Sequence, residues 1–172
     1  PMIVVDPSKE ADAARGTVCD ALVEAIDLAP TFIDYFGGQV PRHIVEGRSL
    51  MPLLRGQKPL GWREVAISEY DYSMLDSRRT LGRKPDECRL FMVFDGRFKY
   101  VHAPGFRPML WDLETDPHEY RDLGDDPEFE AERARLKEHL LAWALTDHNR
   151  ITMPDATIET YGPARQMRGG IL

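Results

Sequence analysis

The sequence predicts an α/β chain, α+β over most of its length: a small four-stranded antiparallel sheet packed by a C-terminal helix. Three features predict this. Asp95-Gly96 lies between two apolar runs, 89–94 and 97–102, the strongest short hairpin signal a sequence offers. Asp126-Pro127-Glu128 combines a cap, a proline at the first helical position and an acid in the first turn, which together start a helix. Phe129, Leu136, Leu140 and Trp143 follow at helical spacing and make one apolar stripe.

Taken in order, residues 2–5 are an apolar β-branched run ended by Asp6-Pro7, the pattern of a short buried strand. Residues 18–26 are mixed and read equally as strand or helix. Asp27 is placed to cap a helix with Pro30 in its first turn, Phe32, Ile33 and Phe36 on one face, and Gly37-Gly38 as its stop. A short helical turn is expected between Gly47 and Gly56, with Ser49 as cap. From residue 61 the texture changes to strands. Residues 65–70 form the first, and the two arms of the Asp95-Gly96 hairpin form the next pair. A two-residue turn would set Val93 opposite Phe98 and Phe91 opposite Tyr100, with Leu90, Met92 and Val101 on the other face. Residues 109–113 make the fourth strand, and the chain beyond 146 is polar and unperiodic. The chain therefore divides near residue 60.

Composition limits the function. Twenty-nine acidic against 22 basic residues give a net charge of −7, so there is no positive charge to release counterions from a nucleic acid. No apolar run approaches the roughly 20 residues that a membrane-spanning helix needs. Nucleic acid and membrane are thus not expected partners. Two cysteines, Cys19 and Cys88, fit a reducing compartment, and without a signal-peptide pattern a cytoplasmic location is expected.

Few residues suggest chemistry. Glu69, Tyr70, Asp71 and Tyr72 cluster at a strand end, where two carboxylates and two phenols can line a polar site or simply be solvated. Asp147-His148 can be a metal pair or a solvated helix end, and Asp116-Pro117-His118-Glu119 a metal pair or an Asp-Pro turn. Cys19 and Cys88 lack an oriented base and read as small buried hydrophobes. No catalytic residue and no metal ligand is assigned, and no phosphate loop, zinc spacing or nucleophile elbow occurs.

Several motifs add a resemblance. Pro1-Met2-Ile3-Val4-Val5 is followed by Asp27-Leu28-Ala29-Pro30-Thr31, then by Gly47-Arg48-Ser49-Leu50-Met51-Pro52-Leu53-Leu54. Phe98-Lys99-Tyr100-Val101 and Trp111-Asp112-Leu113-Glu114-Thr115-Asp116-Pro117-His118-Glu119 come next. In this order and spacing they resemble the C-terminal third of the sulfatase family of the alkaline phosphatase superfamily, most like its phosphonate monoester hydrolase and arylsulfatase branch.

The resemblance implies a division. Residues 1–60 would be the last elements of a large alkaline-phosphatase-like α/β domain, 61–145 a small antiparallel-sheet-plus-helix subdomain, and 146–172 a C-terminal arm. It also implies a parent enzyme that hydrolyses sulfate, phosphonate or phosphate monoesters with a divalent metal ion of the calcium or manganese type and a formylglycine. That formylglycine arises from the cysteine of a Cys-x-Pro-x-Arg motif, a context neither Cys19 nor Cys88 has. This segment would hold neither cofactor and be inactive alone. The expected partners are the upstream catalytic part of the same polypeptide, further copies in a homo-oligomer, and the parent's small ester substrate. The rival reading is a stand-alone, non-catalytic interaction or structural module, against which an opening on an orphan buried strand would argue.

Overall fold

A computed structural model describes residues 2–146. They form two compact units: 2–17 with 25–58, and Val18–Glu24 with Pro59–Leu145.

In the first unit, helix α1 (Leu28–Tyr35) and the short helix α2 (Met51–Leu54) are joined by buried polar contacts rather than a large apolar core. Asp27 does not cap α1 as expected; its own backbone is helical and its side chain makes no cap bond. Instead the buried carboxylate accepts the backbone N–H of Arg48 at 2.8 Å. Thr31 Oγ1 donates to the carbonyl of Asp27 at 2.5 Å and accepts the N–H of Leu50 at 2.8 Å. Gly47 lets the two segments touch, because a Cβ there would lie 2.1 Å from the carbonyl oxygen of Ile26.

Helix α1 ends as the Gly37-Gly38 pair predicts. Gly37 takes the left-handed conformation at φ 74°, and the N–H groups of Gly37 and Gly38 return to the carbonyls of Asp34 and Ile33. The expected aromatic face of α1 is not buried: its buried residues are Pro30 and Thr31, while Phe32 and Phe36 are exposed. Ser49 acts one residue ahead of the cap, accepting the N–H of Met51 and donating to Asp34.

Two further expectations fail in the first part of the chain. Residues 2–5 are not a buried strand; they carry no regular secondary structure, and Ile3 is 90% exposed. A strand exists only where a neighbour takes its N–H and C=O groups, and none of the four strands pairs with this run. Residues 18–24 are neither strand nor helix, and Ala25–Asp27 is a 3-10 turn. Val18–Glu24 instead edges the second unit: Glu24 accepts the N–H of Ile67 at 2.6 Å and pairs with Arg63, and Leu22 accepts Trp62 Nε1.

The second unit is the expected antiparallel meander. Strands β1 (Ala66–Asp71), β2 (Arg89–Phe94), β3 (Phe98–His102) and β4 (Met109–Asp112) lie in sequence order. A small helix, α3 (Asp76–Thr80), is inserted between β1 and β2. The β2–β3 register differs from expectation. Val93 pairs with Tyr100 and Phe91 with His102, a shift of two residues. The cause is Asp95, whose Oδ1 accepts the N–H groups of both Arg97 and Phe98 at 2.9 and 2.6 Å. The Asp95 N–H also donates to the carbonyl of Phe98 at 3.3 Å, so the turn is centred on Gly96-Arg97 rather than on Asp95-Gly96. Because side chains alternate with period two, the shift leaves every residue on its expected face.

Helix α4 (Glu130–Thr146) covers one face of the sheet after a 3-10 turn capped by Asp126, whose carboxylate accepts the N–H of Glu128. Leu136 and Leu140 enter a core with Val93, Phe98, Tyr100 and Leu110, and Phe129 and Trp143 pack against it. The helix stripe and the sheet face therefore share one core. Asp95 at the hairpin turn also pairs with Arg135 of α4. The expected C-terminal arm lies outside the described residues.

Candidate functional site

Strand β1 carries Glu69, Tyr70 and Asp71, with Tyr72 just beyond its end, and its pleat separates them. Ile67 packs against the α4-side core, so Glu69 and Asp71 follow it on that face, and Tyr70 points to the opposite one. Asp71 ends the strand by turning its carboxylate onto the N–H of Ser73 at 2.7 Å, and that bond holds its pKa below the usual carboxylate range. Glu69 is exposed.

Tyr70 and Tyr72 instead share an open depression of about 430 Å³ on the sheet face away from α4. Leu90, the register partner of Tyr70, and Met109 line it from the sheet. Leu75 and Leu81 line it from the α3 insertion, and Phe106 from the β3–β4 loop. Tyr70 is 54% exposed, whereas Tyr72 is buried, and burial followed by its contact with Cys88 pushes its phenol pKa up. Of the four candidates, then, the fold brings two phenols together and leaves the two carboxylates outside the depression.

Two loops form the walls, and Arg83 ties them. Tyr72 and Cys88 close the α3 insertion through a backbone bond of 2.9 Å, and Arg78 braces its interior by donating to the carbonyl of Ser73. From this insertion Arg83 donates to the carbonyl of Gly105 at 2.9 Å and lies 4.4 Å from the Phe106 ring centroid. Gly105 sits at φ 78°, and a Cβ there would lie 2.7 Å from the guanidinium. Neither Arg83 nor Gly105 carries a motif, so sequence reading gave no reason to single them out.

The remaining candidates do not converge. Asp116–Glu119 is a turn: Asp116 accepts the N–H of Arg121, and Glu119, at φ 58°, pairs with Lys99 at 2.7 Å. Cys88 is buried with its thiol on the carbonyl of Lys84, while Cys19 is exposed and so differs from the expected small buried hydrophobe. Asp147-His148 lies outside the described residues. Among the described residues no three His, Cys, Asp or Glu side chains gather as a metal ion requires.

The second unit is thus a four-stranded antiparallel meander covered by one helix, with an apolar depression on its other face. The chain belongs to the family described as N-sulphoglucosamine sulphohydrolase, C-terminal, which matches residues 1–145. It is 31% identical over 153 residues to the multifunctional alkaline phosphatase superfamily protein PehA of Trinickia caryophylli, covering 87% of this chain and 29% of that one. It is 26% identical to human N-sulphoglucosamine sulphohydrolase, covering 92% of this chain and 39% of that one. The crystal structure of the phosphonate monoester hydrolase of Agrobacterium radiobacter matches with a TM-score of 0.68 at 35% identity, over 74% of this chain and 26% of that chain. The chain therefore spans well under half the length of these relatives.

Proposed function

We propose that the chain is the C-terminal part of a metal-dependent hydrolase of sulfate or phosphonate/phosphate monoesters. The observation that supports it best is the family match over 1–145 together with 35% identity to a phosphonate monoester hydrolase. In this reading a divalent ion of the calcium or manganese type and a formylglycine lie in the upstream part of the polypeptide. The ion would polarise the ester oxygens and the formylglycine would supply the nucleophile. The described residues contribute no step of that chemistry. Their role is to close one side of the active-site cleft and to make contacts between subunits of a homo-oligomer in the cytoplasm.

The exposed apolar side chains of the first unit, Ile3, Val5, Phe32 and Phe36, support docking against a larger body. Among the described residues no helix is long and apolar enough to cross a membrane. The rival reading, a stand-alone interaction module, has no comparable support.

The test is hydrolysis of an aryl sulfate and an aryl phosphonate monoester by the purified 172-residue chain with calcium or manganese. No turnover above background is expected. Saturable, metal-dependent turnover would place a catalytic centre within this chain and overturn the division of labour.

A further inference from the structure

We propose that the depression on the sheet face away from α4 is a binding site for a neutral aromatic small molecule of the phenol class. The inference stands on the second unit alone and goes beyond the hydrolase reading.

Shape and lining come first. About 430 Å³ falls within the range of small-molecule pockets, which are mostly apolar with a few polar groups that fix orientation. Here the rings of Tyr70 and Phe106 and the side chains of Leu90 and Met109 offer faces and edges to a flat ring. Tyr70 and Ser77 bring hydroxyl groups to the lining, and either can donate to or accept from a ligand hydroxyl.

Charge decides which aromatic class fits. An aryl anion would need an uncommitted cation. Arg107, the charged residue of the lining, is held by Asp122 at 2.7 Å and by Asp125 at 3.3 Å. Arg83 is committed to the carbonyl of Gly105 and the face of Phe106. The phenol of Tyr72 stays protonated, because burial raises its pKa. On the acidic side, Glu69 and Asp71 lie on the other face of β1, so they offer a cationic ligand nothing. The depression thus suits a ring with no formal charge. Its walls are also set in advance: the Arg83 tie fixes the α3 insertion against the β3–β4 loop, which lowers the ordering cost of binding.

The test is an NMR titration of the 172-residue chain with phenol and, separately, with benzenesulfonate. Phenol should give saturable shifts at Tyr70, Leu90 and Met109 and none at the exposed Tyr120. Benzenesulfonate should bind at least fivefold more weakly. Tyr70→Ala and Leu81→Glu alter exposed side chains at the rim and leave the fold intact; each should weaken phenol binding at least fivefold. The proposal is overturned if phenol causes no saturable shift at these residues, if both rim variants bind phenol as well as the parent chain, or if benzenesulfonate binds equally well. It is overturned too if only aromatic peptides, and not free phenol, occupy the depression.

Discussion

Leu50 donates its backbone N–H to the hydroxyl of Thr31 at 2.8 Å, across nineteen positions of the chain. The same hydroxyl donates to the carbonyl of Asp27, whose carboxylate holds the N–H of Arg48. Two motifs that carry the family resemblance, Asp27–Thr31 and Gly47–Leu54, are therefore two halves of one buried joint. Side chains of the first segment satisfy backbone N–H groups of the second, and an unsatisfied buried group is costly.

Thr31→Val keeps the shape of the side chain and removes both bonds. It should destabilise the first unit by about 1–3 kcal/mol, the cost of leaving a buried N–H without a partner. Gly47→Ala should be worse, since its Cβ would meet backbone rather than a movable side chain. Denaturant unfolding followed by probes in the first unit checks both. Stability equal to the parent chain in Thr31→Val would contradict the joint.

Leu140→Ala should cost about 2–5 kcal/mol, as buried leucine truncations do. Because Leu140 shares a core with Val93, Tyr100 and Leu110, strands β2 and β3 should loosen along with α4. Hydrogen exchange reads this directly. Faster exchange confined to 127–145, with 89–102 still protected, would refute the shared core.

Gly96→Val should destabilise the hairpin by about 1–2 kcal/mol, because φ at residue 96 is 99°, a conformation a β-branched side chain resists. Asp95→Ala should act at the same place by freeing the N–H groups of Arg97 and Phe98. Thermal unfolding of both variants is the measurement.

Acid should weaken the second unit by a route that mutation can block. The bidentate bond from Arg97 holds the Asp112 carboxyl below its ordinary range, outweighing the opposite effect of burial. A group with a depressed folded pKa stabilises fully above its unfolded value, near 3.9, and loses that contribution as pH falls through the lower folded value. Stability should thus drop steeply below about pH 4. Asp112→Asn should be less stable at neutral pH and show a shallower acid loss. An unchanged acid slope in Asp112→Asn would contradict the assignment.

Much of the second unit was legible in the sequence because its signals are local. The Asp95-Gly96 turn, the Asp126-Pro127 helix start and the 3.6-residue stripe each act within a few residues. The hairpin register was not, since centring the turn on Gly96-Arg97 rather than Asp95-Gly96 goes with the Asp95 carboxylate taking the N–H groups of Arg97 and Phe98. Residues 2–5 misled because an apolar run states a preference for extension but cannot supply a neighbouring strand. At the candidate site the Glu69–Tyr72 cluster was visible as a string, yet alternation along β1 divides it. The loops that wall the depression are tied by Arg83 and Gly105, whose partnership exists only in three dimensions.

The central claim is that this chain serves as the C-terminal part of an ester hydrolase whose chemistry lies elsewhere in the polypeptide. The most direct measurement is kcat/KM of a chimera in which residues 1–172 replace the matching C-terminal segment of a phosphonate monoester hydrolase, compared with that enzyme truncated at the same point. The account predicts that the folded chimera hydrolyses aryl phosphonate monoesters in a metal-dependent manner while the truncated enzyme does not. A soluble, folded chimera as inactive as the truncated enzyme would contradict it.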